Sequence, residues 1–458
     1  MKIAKIIREI DNLVWGPWML ILLVGTGCYL MLKLRFLPVK KLGFALKCAF
    51  GGKKGQKEKD GRISSFSSLT TELAATIGTG NIVGVATAMV LGGPGALFWM
   101  MLTSFVGMAT KLVESTLAVK YRSKNDRGEV VGGPMYTMAH ALPCKRLGHL
   151  LATLFSVFAV MASFGMGNMA QSNSIAAALK SSFQIPEVQT GLFVTVITIL
   201  VVLGGIQSIA KVTNFVVPVM GVLYLSGTLF VILTHVKQVP SGIGHIIEMA
   251  LCPQAVGGGV FGSMTYSMAQ SIRWGVSRGV FSNEAGLGAA GISAACADTD
   301  NYIKQGYISM TGVFLDTIVI CSATGLALAA SGVLGMRNAD GELITGIALT
   351  IAAFETVFGS LGACFVSICI TLFAFATIIG WAYQGERAFE FLVGKSKYCI
   401  FYRFGYALIT YIGTVCSLNV VWDFSDICNG LMAIPNLICI LLLSKEICEE
   451  IVDYVDIY

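Results

Sequence analysis

Eleven stretches of roughly twenty apolar residues, each bounded by charges, glycine or proline, occupy most of this chain. A bilayer core of about 30 Å takes about that many residues of helix. They lie near 14–34, 66–92, 95–119, 151–176, 188–206, 213–235, 258–295, 306–332, 359–384, 403–419 and 420–443. The composition agrees, with 55% of the 458 residues hydrophobic and 13% charged, about half the charged share of an ordinary soluble protein. A soluble chain of this length would form about three domains, each needing a charged surface. The sequence therefore predicts an all-α polytopic membrane protein with 11 transmembrane helices, and excludes soluble, disordered and fibrous classes.

Basic residues orient this layout, because Lys and Arg are retained on the cytoplasmic side. Of 32, 23 fall on one face and 6 on the other, while Lys111, Arg273 and Arg278 lie within spans. This predicts a multi-pass protein of the plasma (inner) membrane, N-terminus outside and C-terminus cytoplasmic. Acidic residues precede the first apolar run and no small-residue cleavage site follows it, so the first helix is expected to stay. The net charge of +6 is explained by the loops. The basic stretch 53–59 lacks interleaved aromatics and reads as contact with membrane lipid, not nucleic acid. The 13 cysteines are scattered singly and read as small buried hydrophobes.

Setting aside residues 1–62 as a peripheral N-terminal helix and basic loop, ten spans divide into halves at 63–240 and 241–445, with 446–458 as a cytoplasmic tail. Leu343–Phe358 reads as an extracellular amphipathic helix. Five spans per half make the second half enter the membrane from the opposite side, the geometry of a five-plus-five inverted repeat. The first helix of each half is rich in glycine. In the first, TTELAATIGTGNIVG (70–84), Thr76, Gly78, Thr79, Gly80 and Asn81 place polar and flexible residues inside a span. Such a stretch can unwind, leaving carbonyls for a cation and N–H groups for a carboxylate, although glycines also serve tight helix packing. In the second, residues 269–288, Trp274 beside Gly275 could place a ring over a small substrate at a helix break, or simply pack. Arg273 and Arg278 need internal partners there, with Glu284 a candidate.

Three further features sit inside spans. Gln171 and Asn173, within GMGNMAQSNS (165–174), could hydrogen-bond both ends of an amino acid or join helices. Asp316 is a candidate ion ligand or proton carrier, or a charge partner for Arg273, Arg278 or Lys111. Lys111 and Glu114, three residues apart, read as an internal pair.

The segments TELAATIGTGNIVGVA (71–86), GGPMY (132–136), IRWG (272–275), GVFSNEAG (279–286) and FAFATIIGW (373–381) closely resemble the alanine or glycine:cation symporter family, along nearly the whole chain. The resemblance implies the leucine-transporter fold, with its first and sixth core helices discontinuous, and sodium- or less often proton-coupled uptake of alanine or glycine. By it, Thr76 and Asn81 would line a sodium site touching the substrate, and the Thr79 and Gly80 amides would hold the substrate carboxylate. A second sodium site would use the Ala74 and Ile77 carbonyls with Ala374 and Thr377, hard oxygen ligands without a buried charge. The family often has Ser where this chain has Ala376, and that hydroxyl is missing here.

The expected function is sodium-coupled symport of a small neutral amino acid by alternating access, with Na+ the co-transported ion, no organic cofactor and a functional monomer. Proton coupling and an ion channel are the alternatives. An enzyme is not expected, because the four histidines fall in loops or at span ends, and the lack of a phosphate-binding GxxxxGK[ST] stretch argues against ATP driving transport.

Overall fold

The computed structural model describes residues 2–51, 62–252, 254–257, 264–416 and 419–457. The basic stretch 53–59 and the start of the predicted span 258–295 lie outside the described residues. The chain opens with α1 (Lys2–Val14) and α2 (Pro17–Lys33), then α3 (Leu42–Phe50). The first predicted span, 14–34, thus begins at a turn, with proline at the first position of α2, where no N–H is needed. The next span is interrupted: α4 (Ser65–Thr76), a 3₁₀ turn at Thr79–Asn81, then α5 (Val83–Leu91). The Ser64 hydroxyl caps α4 by accepting from the Ser67 N–H at 3.0 Å.

Next come α6 (Gly95–Lys120), the short α7 (Pro134–Ala141), α8 (Lys145–Phe183), α9 (Glu187–Leu203), α10 (Gly205–Thr234) and α11 (Val239–Leu251). Two small antiparallel hairpins flank this region, Ser123–Lys124 with Val130–Val131 and Gln254–Gly257 with Met264–Ser267. The second hairpin shortens the predicted seventh span, because α12 starts only at Met268 and ends at Asn283, followed by α13 (Ala289–Ala295). A reciprocal cap between Ser267 and Gln270 fixes that start. The remaining helices are α14 (Tyr302–Ala330), α15 (Gly346–Phe358), α16 (Leu361–Val393), α17 (Cys399–Val415) and α18 (Asn419–Ile457). The last one runs well past the predicted end at 443.

Among the described residues, six helical segments are long and apolar enough to cross a membrane: Gly95–Lys120, Lys145–Phe183, Gly205–Thr234, Tyr302–Ala330, Leu361–Val393 and Ser425–Tyr454. Shorter apolar helices include α2, α9 and α15. Burial is inverted relative to a water-soluble protein. On α10, Phe215, Val222, Leu229 and Leu233 recur at helical spacing on the exposed face, while Thr213, Met220, Tyr224 and Thr228 are buried. A stripe of large apolar side chains facing outward fits a surface that meets lipid instead of water. The buried interior instead holds Thr, Ser, Asn, Gln and several charges, which makes it the place to look for function.

Helix α6 packs against both α12 and α14, and α8 against α16 and α18. Two helices carry π-helical turns, Gly165–Met169 in α8 and Phe314–Cys321 in α14. Such turns leave backbone groups out of register and recur at functional sites. The turn in α14 packs on the interruption between α4 and α5, and α8 reaches it through Gln171, just after its own turn.

Candidate ion and substrate site at the helix breaks

The first break begins at Ile77, whose backbone (φ −78°, ψ 90°) leaves the helix. The Gly78 N–H then turns to the Asn81 side-chain oxygen at 2.9 Å, so the Ala74 carbonyl loses its helical donor. The Thr79 N–H donates to Gln171 Oε1 at 3.3 Å, and Gln171 Nε2 donates to the Met166 carbonyl at 3.1 Å in the π-turn of α8. From α16, the Thr377 hydroxyl lies 3.4 Å from the Ile77 carbonyl and 3.1 Å from that of Phe373. A Cβ at Gly78 would sit 2.4 Å from Thr377 Oγ1 and 3.3 Å from Gln171 Oε1. Only glycine lets α4, α8 and α16 converge here.

A second cluster adjoins it through Asn81. Its amide nitrogen donates to Asp316 Oδ1 at 2.7 Å, and Asp316 Oδ2 accepts from Ser282 at 2.8 Å and Thr317 at 2.7 Å. Asn283 donates to Thr317 Oγ1 at 3.0 Å, and Cys321 Sγ lies 3.3 Å from Asn81 Nδ2. Gly80 packs on Ser282, with a Cβ at Gly80 falling 3.3 Å from Ser282 Cα. The fully buried Asp316 carboxylate therefore ties α12 to the first break. It pairs with Asn81, Ser282 and Thr317, not with Arg273, Arg278 or Lys111. The buried Thr79 hydroxyl has no hydrogen-bond partner among the described residues, which leaves an oxygen at the break for a ligand.

Of the sequence-predicted residues, Ile77, Thr79, Gly80, Asn81, Gln171, Thr377 and Asp316 are brought together. Ala74 lies at the end of α4, and Ala374 sits one turn before Thr377 on α16. The Thr76 hydroxyl bonds back to the Glu72 and Leu73 carbonyls of its own helix. Asn173 turns away, donating to the Gly413 and Cys416 carbonyls at 2.9 and 2.6 Å. Trp274 and Gly275 lie within continuous α12, which corrects the expected break there. A Cβ at Gly275 would meet the Ala96 carbonyl at 2.4 Å, so this glycine allows α12 to cross α6 closely.

The second break falls at 284–288, where Glu284, Gly286 and Gly288 have φ of 56°, 89° and 92°. Its released backbone groups have fixed partners, while Glu284 Oε2 and Glu114 Oε1 have no hydrogen-bond partner among the described residues. Glu284 Oε1 accepts from Trp381 Nε1 at 2.8 Å, and the Gly288 N–H donates to Glu114 Oε2 at 3.2 Å. Asn436 donates to both Glu114 and the Gly286 carbonyl at 3.0 Å. Glu114 is thus not paired with Lys111, whose ammonium lies 3.6 Å from Glu72 on α4. Nor does Glu284 pair with the arginines: Arg278 bonds Asp426 at 2.7 Å and Arg273 bonds Asn12 at 2.5 Å. Sequence reasoning missed Ser282, Asn283, Thr317 and Cys321 as neighbours of the site, although Ser282 and Asn283 stand inside the motif GVFSNEAG.

The chain matches the sodium:alanine symporter family over residues 1–457. It is 45% identical over 450 residues to the sodium/alanine symporter AgcS of Methanococcus maripaludis, spanning 98% of this chain and 97% of that protein. To the probable sodium/glutamine symporter GlnT of Bacillus subtilis it is 37% identical over 454 residues, spanning 99% and 91%. A solved Na+-coupled sialic acid symporter, in a substrate-bound outward-open state, superposes with a TM-score of 0.58 over 90% of this chain and 86% of that one. At 13% identity that likeness establishes the transporter fold alone. Full-length coverage at 45% identity goes further, and the chain belongs to the sodium:alanine symporter family, a family of secondary transporters and not of enzymes.

Proposed function

We propose that this protein couples inward sodium flow to uptake of a small neutral amino acid, alanine or glycine, by alternating access. The observation that carries the reading is the convergence at Gly78, where the Ile77 carbonyl and the Thr377 hydroxyl stand 3.4 Å apart beside a helix end. Hard neutral oxygens of this kind, at the C-terminal end of α4, suit sodium, and the N-terminal end of α5 across the break suits a carboxylate. In this reading Ile77 and Thr377, with Ala74 and Ala374, hold one sodium. Thr76, Asn81 and Asp316 lie toward a second. Thr79, Gly80 and Gln171 meet the substrate. Asn173 and the Trp274–Gly275 pair support helix packing.

The same reading keeps the 11-helix layout in two inverted halves, 63–240 and 241–445, with the N-terminus outside and the C-terminus cytoplasmic in the plasma membrane. It takes the working unit as a monomer in lipid.

The test is uptake of labelled alanine and glycine into proteoliposomes carrying the full chain. An imposed sodium gradient is expected to drive accumulation that competing alanine or glycine abolishes. Equal uptake with potassium in place of sodium at fixed pH refutes sodium coupling, and dependence on a pH gradient under those conditions identifies protons instead. Glutamine in the competition panel tests the limit on side-chain size.

A further inference from the structure

Lys111 of α6 is fully buried, and its ammonium acts on the carboxylates of Glu72, Glu114, Glu284 and Asp316. These four come from α4, α6, the second break and α14. Three of them have firm hydrogen-bond partners: Glu114 accepts from Gly288 and Asn436, Glu284 from Trp381, and Asp316 from Asn81, Ser282 and Thr317. Glu72 differs, since neither of its carboxylate oxygens has a hydrogen-bond partner among the described residues. Lys111 Nζ lies 3.6 Å from Glu72 Oε1, well beyond the length of about 2.9 Å usual for a charge-assisted bond, and it too has no hydrogen-bond partner among the described residues.

Helix α14 lines the space around this carboxylate. A Cβ at Gly312 would sit 3.4 Å from Glu72 Oε1, so this face of α14 looks at Glu72. Ser309, one turn earlier on the same face, stands beside Glu72, and its buried hydroxyl has no hydrogen-bond partner among the described residues. Unfilled hard oxygens from α4 and α14 thus face a cation that bonds to neither. The candidate ion site is one turn away along both helices. On α14 the next turn carries Asp316, and on α4 it carries Thr76, whose hydroxyl donates to the Glu72 backbone carbonyl at 3.3 Å.

We propose that the pocket between Glu72 and Ser309 is a monovalent-cation site that the chain fills with its own ammonium. Lys111 stands where a sodium ion would otherwise bind, and so sets how many sodium ions accompany each amino acid. An ion pair built for rigidity would close to hydrogen-bond distance, whereas Lys111 neutralises the carboxylate as a compact point charge on a flexible stem. Without the ammonium, Glu72 is an uncompensated charge in the membrane interior, and the oxygens already present suit a hard cation drawn from solution. Without Glu72, the ammonium is left to repel sodium at Asp316, on which it already acts. This site rests on the sodium-coupled transport proposed above.

The test compares wild type, Lys111→Met, Glu72→Gln and the double variant in proteoliposomes. The membrane voltage at which sodium-driven alanine flux stops gives the number of sodium ions carried per alanine. Lys111→Met, which keeps the length of the side chain without its charge, is expected to carry one more sodium ion per alanine than wild type. The double variant, lacking the carboxylate as well, is expected to return to the wild-type ratio. Glu72→Gln is expected to keep that ratio but to raise half-saturating sodium at least about tenfold, and adding Lys111→Met to it is expected to recover most of the loss. For a variant that is made but does not transport, radioactive sodium bound per chain in detergent is counted, with the same gain of one ion expected in Lys111→Met. Should Lys111→Met prove too unstable to purify, the comparison of Glu72→Gln with the double variant decides. A wild-type ion count in Lys111→Met, or a Glu72→Gln defect that Lys111→Met does not relieve, overturns the cation site and leaves a structural pair. Absence of sodium-driven alanine uptake by the wild type strikes the transport reading itself.

Discussion

The two broken helices differ in what happens to the backbone groups they release. At the first break the Thr79 N–H meets the neutral Gln171 at 3.3 Å and the Thr377 hydroxyl meets the Ile77 carbonyl at 3.4 Å, the Asp316 carboxylate is reached only through the Asn81 side chain, and the Thr79 hydroxyl has no partner among the described residues. At the second, three residues of positive φ turn the chain, Glu114 and Asn436 bind the Gly288 N–H and the Gly286 carbonyl, and Trp381 binds the Glu284 side chain. A broken membrane helix is thus not by itself a binding site. In the reading proposed here the first break offers its groups to a ligand, whereas the backbone groups of the second hold helices together.

Breaking the contrast should be most visible at Gly78. Gly78→Ala places a methyl group against Thr377 Oγ1 and is expected to lower sodium-driven uptake at least about 100-fold, roughly 2.8 kcal/mol, while the protein is still made and inserted. Retained uptake in this variant would mean that the break can move without loss. Glu114→Ala at the second break removes the acceptor for Gly288 and Asn436. It is expected to cost about 2–4 kcal/mol of stability, read as a lower melting temperature of the solubilised protein, with the half-saturating sodium of the remaining uptake within about twofold of wild type. A large sodium shift there would erase the distinction between the breaks. Gln171→Ala is expected to raise the alanine KM about tenfold, about 1.4 kcal/mol, whereas Asn173→Ala should change it less than about threefold and cost about 1 kcal/mol of stability. The reverse ranking would move the substrate to the α17 side of α8.

The first break was legible because Gly78, Thr79, Gly80 and Asn81 stand together in an apolar run, where polar side chains and glycine have few uses other than unwinding. The second was read only as the stretch 269–288, which contains the observed break, and the possible break at Trp274–Gly275 is not where the helix ends. Gly275 serves close approach to Ala96, while Gly286 and Gly288 serve positive φ, and one sequence does not separate these uses. Local spacing misled for Lys111 as well: Glu114 is one turn away on the same helix, but the ammonium meets Glu72, which tertiary packing brings in from α4. Asp316 was visible as a lone carboxylate in a span. Its donors Ser282 and Asn81 come from two other helices, and only the folded register brings them to it.

The central claim, that the first break holds the driving ion, is tested most directly by the sodium activation curve of alanine uptake for wild type, Thr377→Ala and Thr377→Ser. The account predicts that half-saturating sodium rises at least about tenfold in Thr377→Ala, about 1.4 kcal/mol, and returns near wild type in Thr377→Ser, which restores the hydroxyl. Wild-type sodium dependence in Thr377→Ala would contradict it.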